Sequence, residues 1–372
     1  MVYLDNSATT PVSPQVAQCI IGQMEHFGNP SSLYDIGVEA HKEFETAKDT
    51  IRKGLGVAEG ELLITSCGTE GDNTAIFGVC EAMKRRGNRV ITTTVEHPAV
   101  ARAMDKLEKE GWDVVRVAPR DGTLYAEDVL AHVTDQTVLI SVMKVNNETG
   151  AIFPVEEIAR RAKKKNPKVL IHCDHVQGFM KCPLRIGENI DLVTVSGHKL
   201  HAPKGVGALY IRKGVRVLPM LYGGGQQKNL RPGTENTLLT AAFAAAVESA
   251  SKEGHGCVEE LSQTLRSWAE KTEGVELNSR PDALPYIVNL SVSGIRSETM
   301  LHFLESKGIY VSSGSACSKG KRSSVLTSFG FDDDRIDSAL RISFSRYTTK
   351  EDVAALLTAL EEGMAVLQRK KK

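Results

Sequence analysis

Between residues 60 and 215 short apolar runs alternate with stretches of helical spacing. Glu61-Leu62-Leu63-Ile64-Thr65 reads as a strand, and after it Ala75, Ile76, Val79, Cys80 and Met83 recur three and four positions apart, one face of a helix. Arg89 to Val95, Val138 to Val142, Val169 to His172, Leu192 to Val195 and Gly207 to Ile211 are further runs of the same kind. Near-continuous apolar strands, separated by helices, are buried on both faces and predict a largely parallel sheet covered by helices. Ligands in such sheets bind beyond the carboxyl ends of the strands. The polar residues there are Ser66 to Glu70, His97, Asn147, Asp174 and Ser196 to Lys199.

Upstream, Phe44, Ala47, Ile51 and Leu55 form a helical stripe that ends at Gly54 and Gly56. Residues 240–252 are alanine-rich and helical and lead into a unit with a different pattern. There Tyr286 to Leu290, Ile309 to Val311 and Leu340 to Phe344 read as strands and 297–307 as a helix. Thr348 with Glu351 predicts a capping box for a last helix carrying Val353, Leu356, Leu357, Leu360, Met364 and Leu367. The expected fold is therefore α/β: a large domain over 15–250 with a mostly parallel central sheet, and a small α+β domain over 251–372. Residues 1–14 are expected to pack on the small domain.

The chain has 372 residues, 25% charged and 41% hydrophobic, with a formal net charge of zero. That balance gives no basis for a nucleic-acid surface. The basic tail Arg369-Lys370-Lys371-Lys372 suits a helix C-terminus. No apolar stretch is long enough to cross a membrane, and the first residues lack the charge and apolar core of a signal peptide. The seven cysteines are an odd number without framework spacing, which fits a reducing, cytoplasmic setting.

Ser196-Gly197-His198-Lys199 closes one apolar run, and Asp174, 25 residues earlier, closes another. A lysine and an acid at the ends of neighbouring strands are what a pyridoxal 5'-phosphate site needs, the lysine for a Schiff base and the acid for the pyridine nitrogen. Gln177 stands where it can bond the ring hydroxyl. Ser196 and His198 can donate to a phosphate. Gly68-Thr69, between a strand and a helix, offers free N–H groups to an anion, although a plain N-cap has the same look. His97, before Pro98, reads as a hydrogen-bonded loop histidine or as a ring stacked on a cofactor. His172-Cys173-Asp174-His175 has zinc-ligating residue types, but alternation along a strand sends neighbours to opposite faces, so no metal is expected. Cys317 sits in the polar segment Ser312-Ser313-Gly314-Ser315-Ala316-Cys317, with Lys319, Lys321 and Arg322 nearby to favour a thiolate. The other six cysteines read as core thiols. Arg341, in an apolar strand, calls for an anionic partner, either a structural carboxylate or that of a substrate.

Together these residues resemble the cysteine desulfurases, fold-type I pyridoxal phosphate enzymes of the class-V aminotransferase family. The resemblance runs from Leu4-Asp5-Asn6-Ser7-Ala8-Thr9-Thr10 to Arg341-Ile342-Ser343-Phe344. Its most specific motifs are Val145 to Gly150, Ser196 to Lys199 with Pro203-Lys204-Gly205, Arg231-Pro232-Gly233-Thr234, and Ser312 to Cys317. The resemblance implies that Lys199 holds the cofactor, Asp174 pairs with the pyridine nitrogen, Gln177 with the phenolic oxygen, and His97 stacks on the ring. Gly68, Thr69, Ser196 and His198 bind the phosphate, joined by Thr234 from a second copy in a homodimer. Asn147 and Arg341 hold the substrate carboxylate, and Cys317 accepts sulfur.

The implied reaction converts L-cysteine to L-alanine and leaves a persulfide on Cys317, which passes to an acceptor protein such as an iron–sulfur scaffold or a tRNA-thiolation enzyme. A selenocysteine lyase, another pyridoxal phosphate lyase or aminotransferase, and a non-catalytic sulfur-handling scaffold are the alternatives. The chain departs from the family in three places. Cys67-Gly68 stands where Gly-Ala is frequent, Gly71 replaces a frequent serine, and only seven residues separate Cys317 from Val325.

Overall fold

The computed structural model describes residues 1–120, 122–313 and 323–367. In chain order the first half comprises β1 (Val2–Tyr3), α1 (Pro14–Gln23), α2 (Asp35–Gly54), β2 (Glu61–Thr65), α3 (Gly68–Met83), β3 (Arg89–Thr93), α4 (Pro98–Lys109), β4 (Asp113–Val117) and α5 (Ala126–Ala131). There follow β5 (Thr137–Ser141), α6 (Val155–Lys165), β6 (Leu170–Asp174), β7 (Leu192–Ser196), β8 (Gly207–Ile211) and α7 (Thr237–Glu253). The remainder is α8 (Val258–Lys271), β9 (Val275–Leu277), β10 (Ile287–Val292), α9 (Ser297–Ser306), β11 (Ile309–Tyr310), β12 (Ser312–Ser313), α10 (Ser324–Ser328), α11 (Asp333–Asp337), β13 (Ala339–Ser343) and α12 (Lys350–Val366).

Seven strands form the central sheet in the order β2-β8-β7-β6-β5-β3-β4. All run in one direction except β8, which is antiparallel to both β2 and β7. Burial explains the runs seen in the sequence: β5, β6, β7 and β8 are buried at every position, because helices cover both faces. One face packs Phe44, Ile51, Phe153, Ile158 and Phe243 against the sheet, and the other packs Ile76, Val79, Met104 and Leu107. The shared strand direction brings the carboxyl ends of β2, β3, β5, β6 and β7 to one edge, where side chains face a crevice instead of a helix.

A second sheet, β12-β13-β10-β9, is antiparallel throughout and carries its own apolar core, with Val288, Leu290, Ile342, Phe344, Leu356 and Leu360. Leu4 belongs to this core, and β1 pairs in parallel with β11. Beyond it the chain crosses to the large sheet, where the Thr10 N–H donates to the His198 carbonyl (2.9 Å). The capping box of the last helix lies one residue beyond the expected pair. Thr349 accepts from the Asp352 N–H, Asp352 accepts from the Thr349 N–H, and Thr348 instead receives the Ser345 N–H. The thiols also differ from expectation. Cys80, Cys173 and Cys182 are buried, but Cys19 and Cys67 are only partly so and Cys257 is exposed, because it caps α8 at a surface turn.

Candidate functional site

Lys199 follows β7, and its ammonium donates to the carbonyls of Ser7 (2.5 Å) and Ala8 (2.7 Å). Gln177, three residues past β6, donates its amide to the same Ser7 carbonyl (3.0 Å). The N-terminal segment is thus the strap that ties the lysine and the glutamine together. Asp174 ends β6, is buried, and faces Thr194 across the β6–β7 ladder. Among the described residues its carboxylate makes a single hydrogen bond, accepted by Oδ1 from the Val176 N–H (2.9 Å). Burial raises its pKa, while His97, the Val176 N–H and Lys199 pull the other way. An acid so placed favours the arrival of a cation beside it.

His97 caps α4: its Nδ1 accepts the Ala99 N–H (3.2 Å), with Pro98 opening the helix. The ring is solvent-accessible but recessed, and desolvation lowers its pKa against the pull of Asp174, so the imidazole is neutral at pH 7. His198 sits beside Lys199, with Nδ1 3.2 Å from the Thr9 hydroxyl; burial and the neighbouring lysines push it down to about 4.

Gly68 opens α3. A Cβ there would lie 2.9 Å from Val176 and 3.7 Å from Ser196, so only glycine lets the helix start approach β6 and β7 this closely. Ser196 is buried, and its hydroxyl has no partner among the described residues; Thr69 is exposed. Asn147 has a buried, unpartnered Oδ1, and its carbonyl accepts from Arg341 (3.0 Å). Arg341 also pairs with Asp5 (2.8 Å) and keeps a buried Nε without a partner. The structural carboxylate anticipated for it is therefore Asp5, and an unspent donor remains. Thr234 is exposed and makes no hydrogen bond to the Gly68 or Ser196 side of the cleft among the described residues. Cys317 lies outside the described residues.

The profile of the aminotransferase class-V family matches residues 2–356. The chain is 38% identical over 375 residues to a cysteine desulfurase of Trichormus azollae, covering 97% of this chain and 92% of that protein. The chain belongs to the cysteine desulfurases of the class-V aminotransferase family. A solved NifS-like protein superposes with a TM-score of 0.91 at 37% identity, over 98% of this chain and all of that one. A structure titled SspA in complex with cysteine does so with 0.83 at 28%, over 94% of this chain and all of the other.

Within a member of this family, the unspent groups have a common character. Gln177 Oε1, Ser196 Oγ and Asn147 Oδ1 are buried without partners, the Asp174 carboxyl is under-bonded, and Gly68 keeps a helix start open. Buried polar atoms in folded proteins are normally satisfied. This set fits a flat, phosphorylated ring with one basic nitrogen and one hydroxyl.

Asp72, Glu96 and Lys181 escaped the sequence reading. Asp72, on α3, is buried with an unpartnered Oδ1, 3.5 Å from His172 Nε2. Burial and the charge of Asp174 hold its pKa well above the carboxylate range. His172 bonds Ser141 (2.8 Å) and Thr194 (2.9 Å), and burial pushes it down to about 3, so it is neutral. Glu96, beside His97, accepts from Thr93 (2.7 Å) and the Met143 N–H (3.1 Å). Lys181 lies over Tyr286 (5.4 Å from the ring centroid), brought down to about 7 by burial and by Lys199 and Arg346. A signal for Asp72 was present: it precedes Ala75, Ile76 and Val79 by three, four and seven positions, on their buried stripe.

Proposed function

We propose that this chain takes sulfur from L-cysteine, releases L-alanine and holds the sulfur as a persulfide on Cys317 for an acceptor protein. The observation that carries this reading is the under-bonded Asp174 close to Lys199 and His97, in a chain 38% identical to a cysteine desulfurase over nearly its whole length. The cysteine-bound relative supports cysteine as the substrate.

The proposed cofactor is pyridoxal 5'-phosphate. When bound, it supplies an electron sink for the charge left as a proton leaves the substrate Cα. Lys199 anchors it through its amine. Asp174 pairs with the ring nitrogen, and Gln177 accepts from the ring hydroxyl with its unshared Oε1. Gly68, Thr69, Ser196 and His198 bind the phosphate. Arg341 and Asn147 receive the substrate carboxylate, the former with its unspent Nε. His97 stacks on the ring, and its neutral imidazole accepts and hands on a proton. The Cys317 thiolate attacks the substrate sulfur. A sulfur–sulfur bond forms as the carbon–sulfur bond breaks, and the electron pair stays with carbon, where a proton completes alanine.

The working protein is a homodimer in the cytoplasm, with Thr234 of one copy serving the phosphate site of the other. Exposed Phe27, Leu33 and Tyr222 support a self-association face. The large unit spans 15–250 and the small one 251–372; residues 2–4 go with the latter, whereas residues 7–13 bond to the large unit. Among the described residues no helix is long and apolar enough to cross a membrane.

The test uses two variants. Lys199→Ala is expected to stay soluble and lose the yellow absorbance of the loaded protein. Cys317→Ala is expected to keep that absorbance but to form neither alanine nor the mass adduct of one extra sulfur. Full turnover in Cys317→Ala would exclude thiol attack and favour the lyase or aminotransferase alternatives.

A further inference from the structure

A cavity of about 680 Å³ opens between α8, β9 and the turn that joins α10 to α11. It shares no lining residue with the Lys199 cleft. Arg266, Arg280 and Arg335 line it together with Asn278 and Phe331. Arg266 is the unusual member, being only 7% exposed. Its Nε donates to the Ser262 hydroxyl (3.4 Å) and its Nη1 to the Ser279 carbonyl (3.2 Å). Its Nη2 is buried and has no partner, and no carboxylate pairs with the guanidinium among the described residues. Burial works against its charge and lowers its pKa. A buried, unpaired guanidinium is costly, and folded chains keep such groups paired.

The other two arginines are held for presentation. Arg335 donates through Nε to Asn278 (2.5 Å) and through Nη2 to the Leu277 carbonyl (2.5 Å), and it lies 4.5 Å over the Phe331 ring. Its outer nitrogen meets the exposed Glu276 (3.2 Å). Arg280 stands at the rim and pairs with the exposed Asp282 (3.0 Å). Among the described lining residues only Glu270 is acidic, and it is exposed.

We propose that this cavity is a second ligand site, which binds a small molecule bearing a phosphate or carboxylate group, with Arg266 as the buried anchor. Guanidinium groups recognise planar carboxylate and phosphate oxygens through paired N–H donors. The volume lies within the range of small-molecule pockets, well beyond a bare anion. The Phe331 ring and the Arg335 plane stacked on it offer a flat wall for the rest of the ligand.

The test uses cofactor-loaded protein, so that the phosphate site of the main cleft is filled. Inorganic phosphate and malonate are titrated separately by calorimetry at low salt. At least one is expected to bind saturably, and the tighter of the two identifies the anion class. Arg266→Met, which keeps the aliphatic stem, is expected to weaken binding on the order of tenfold or more, the loss of a charged hydrogen-bonded contact. Arg280→Ala is expected to weaken it less, and Glu270→Gln to tighten it. If Arg266→Met does not fold, the half-buried rim variant Arg280→Ala decides. No saturable heat with either anion, or binding unchanged in the arginine variants, overturns the proposal.

Discussion

Glu96 illustrates how burial alone rewrites a single side chain. Its carboxyl is 4% exposed and receives hydrogen bonds from Thr93 and Met143, yet desolvation, with a smaller push from Asp174, carries it from 4.5 up to about 8. The folded state therefore holds a proton that the unfolded chain gives up. The stabilisation is complete below about pH 4.5 and is lost as pH rises toward 8, by up to about 1.4 kcal/mol per pH unit. Glu96→Gln keeps the shape without the titration. Urea unfolding of the two proteins between about pH 5 and about pH 8 should show a loss in the parent that is smaller in the variant; parallel curves would refute the assignment. The sequence named His97 and passed over Glu96, because an acid after a strand looks the same whether solvated or enclosed. The positions of Lys199, Asp174 and His97 at or just past strand ends were legible because the apolar runs mark where the strands stop.

At the scale of elements, the contact between α3 and β7 is set by one missing side chain. A Cβ at Gly71 would come within 2.7 Å of Thr194 Cγ2, and Thr194 is held by its bond to His172. Gly71→Ala gains up to about 1 kcal/mol of helix propensity. It forces an overpacked contact that costs about 1–3 kcal/mol. The expected net result is a lower thermal midpoint and weaker cofactor retention, since α3 carries Gly68 and Thr69. An unchanged midpoint would mean that the helix has room to slide. Six strands of the large sheet could be read from the chain because burial leaves them near-continuously apolar, whereas the edge strand β4, mostly half-buried, went unread. β11 was read one residue too long, as Ile309 to Val311, while the two-residue strands β1 and β12 and the five-residue helices α10 and α11 could not be delimited, since none is long enough to show a period. The capping box missed by one residue because Thr348 and Thr349 are adjacent, and only the path of the backbone selects the second.

For the whole molecule, self-association is the strongest expectation. Phe27 is 81% exposed, Leu33 96% and Tyr222 88%, large apolar side chains that association would cover. Sedimentation should show a dimer in the parent protein. The double variant Phe27→Asp with Tyr222→Asp should shift it toward monomer and lower cofactor occupancy, as Thr234 no longer completes its neighbour's site. A monomeric parent with full activity would end this reading. The alternation of apolar strands with helices and the kinds of residue at the strand ends were fixed by the linear pattern, because periodicity and residue chemistry are local properties. Tertiary structure alone decided that Asp5 meets Arg341 across 336 residues and that the carbonyls of Ser7 and Ala8 receive the Lys199 ammonium. It also decided that burial raises the pKa of both Asp72 and Glu96, since long-range contact and desolvation exist only once distant segments have packed together.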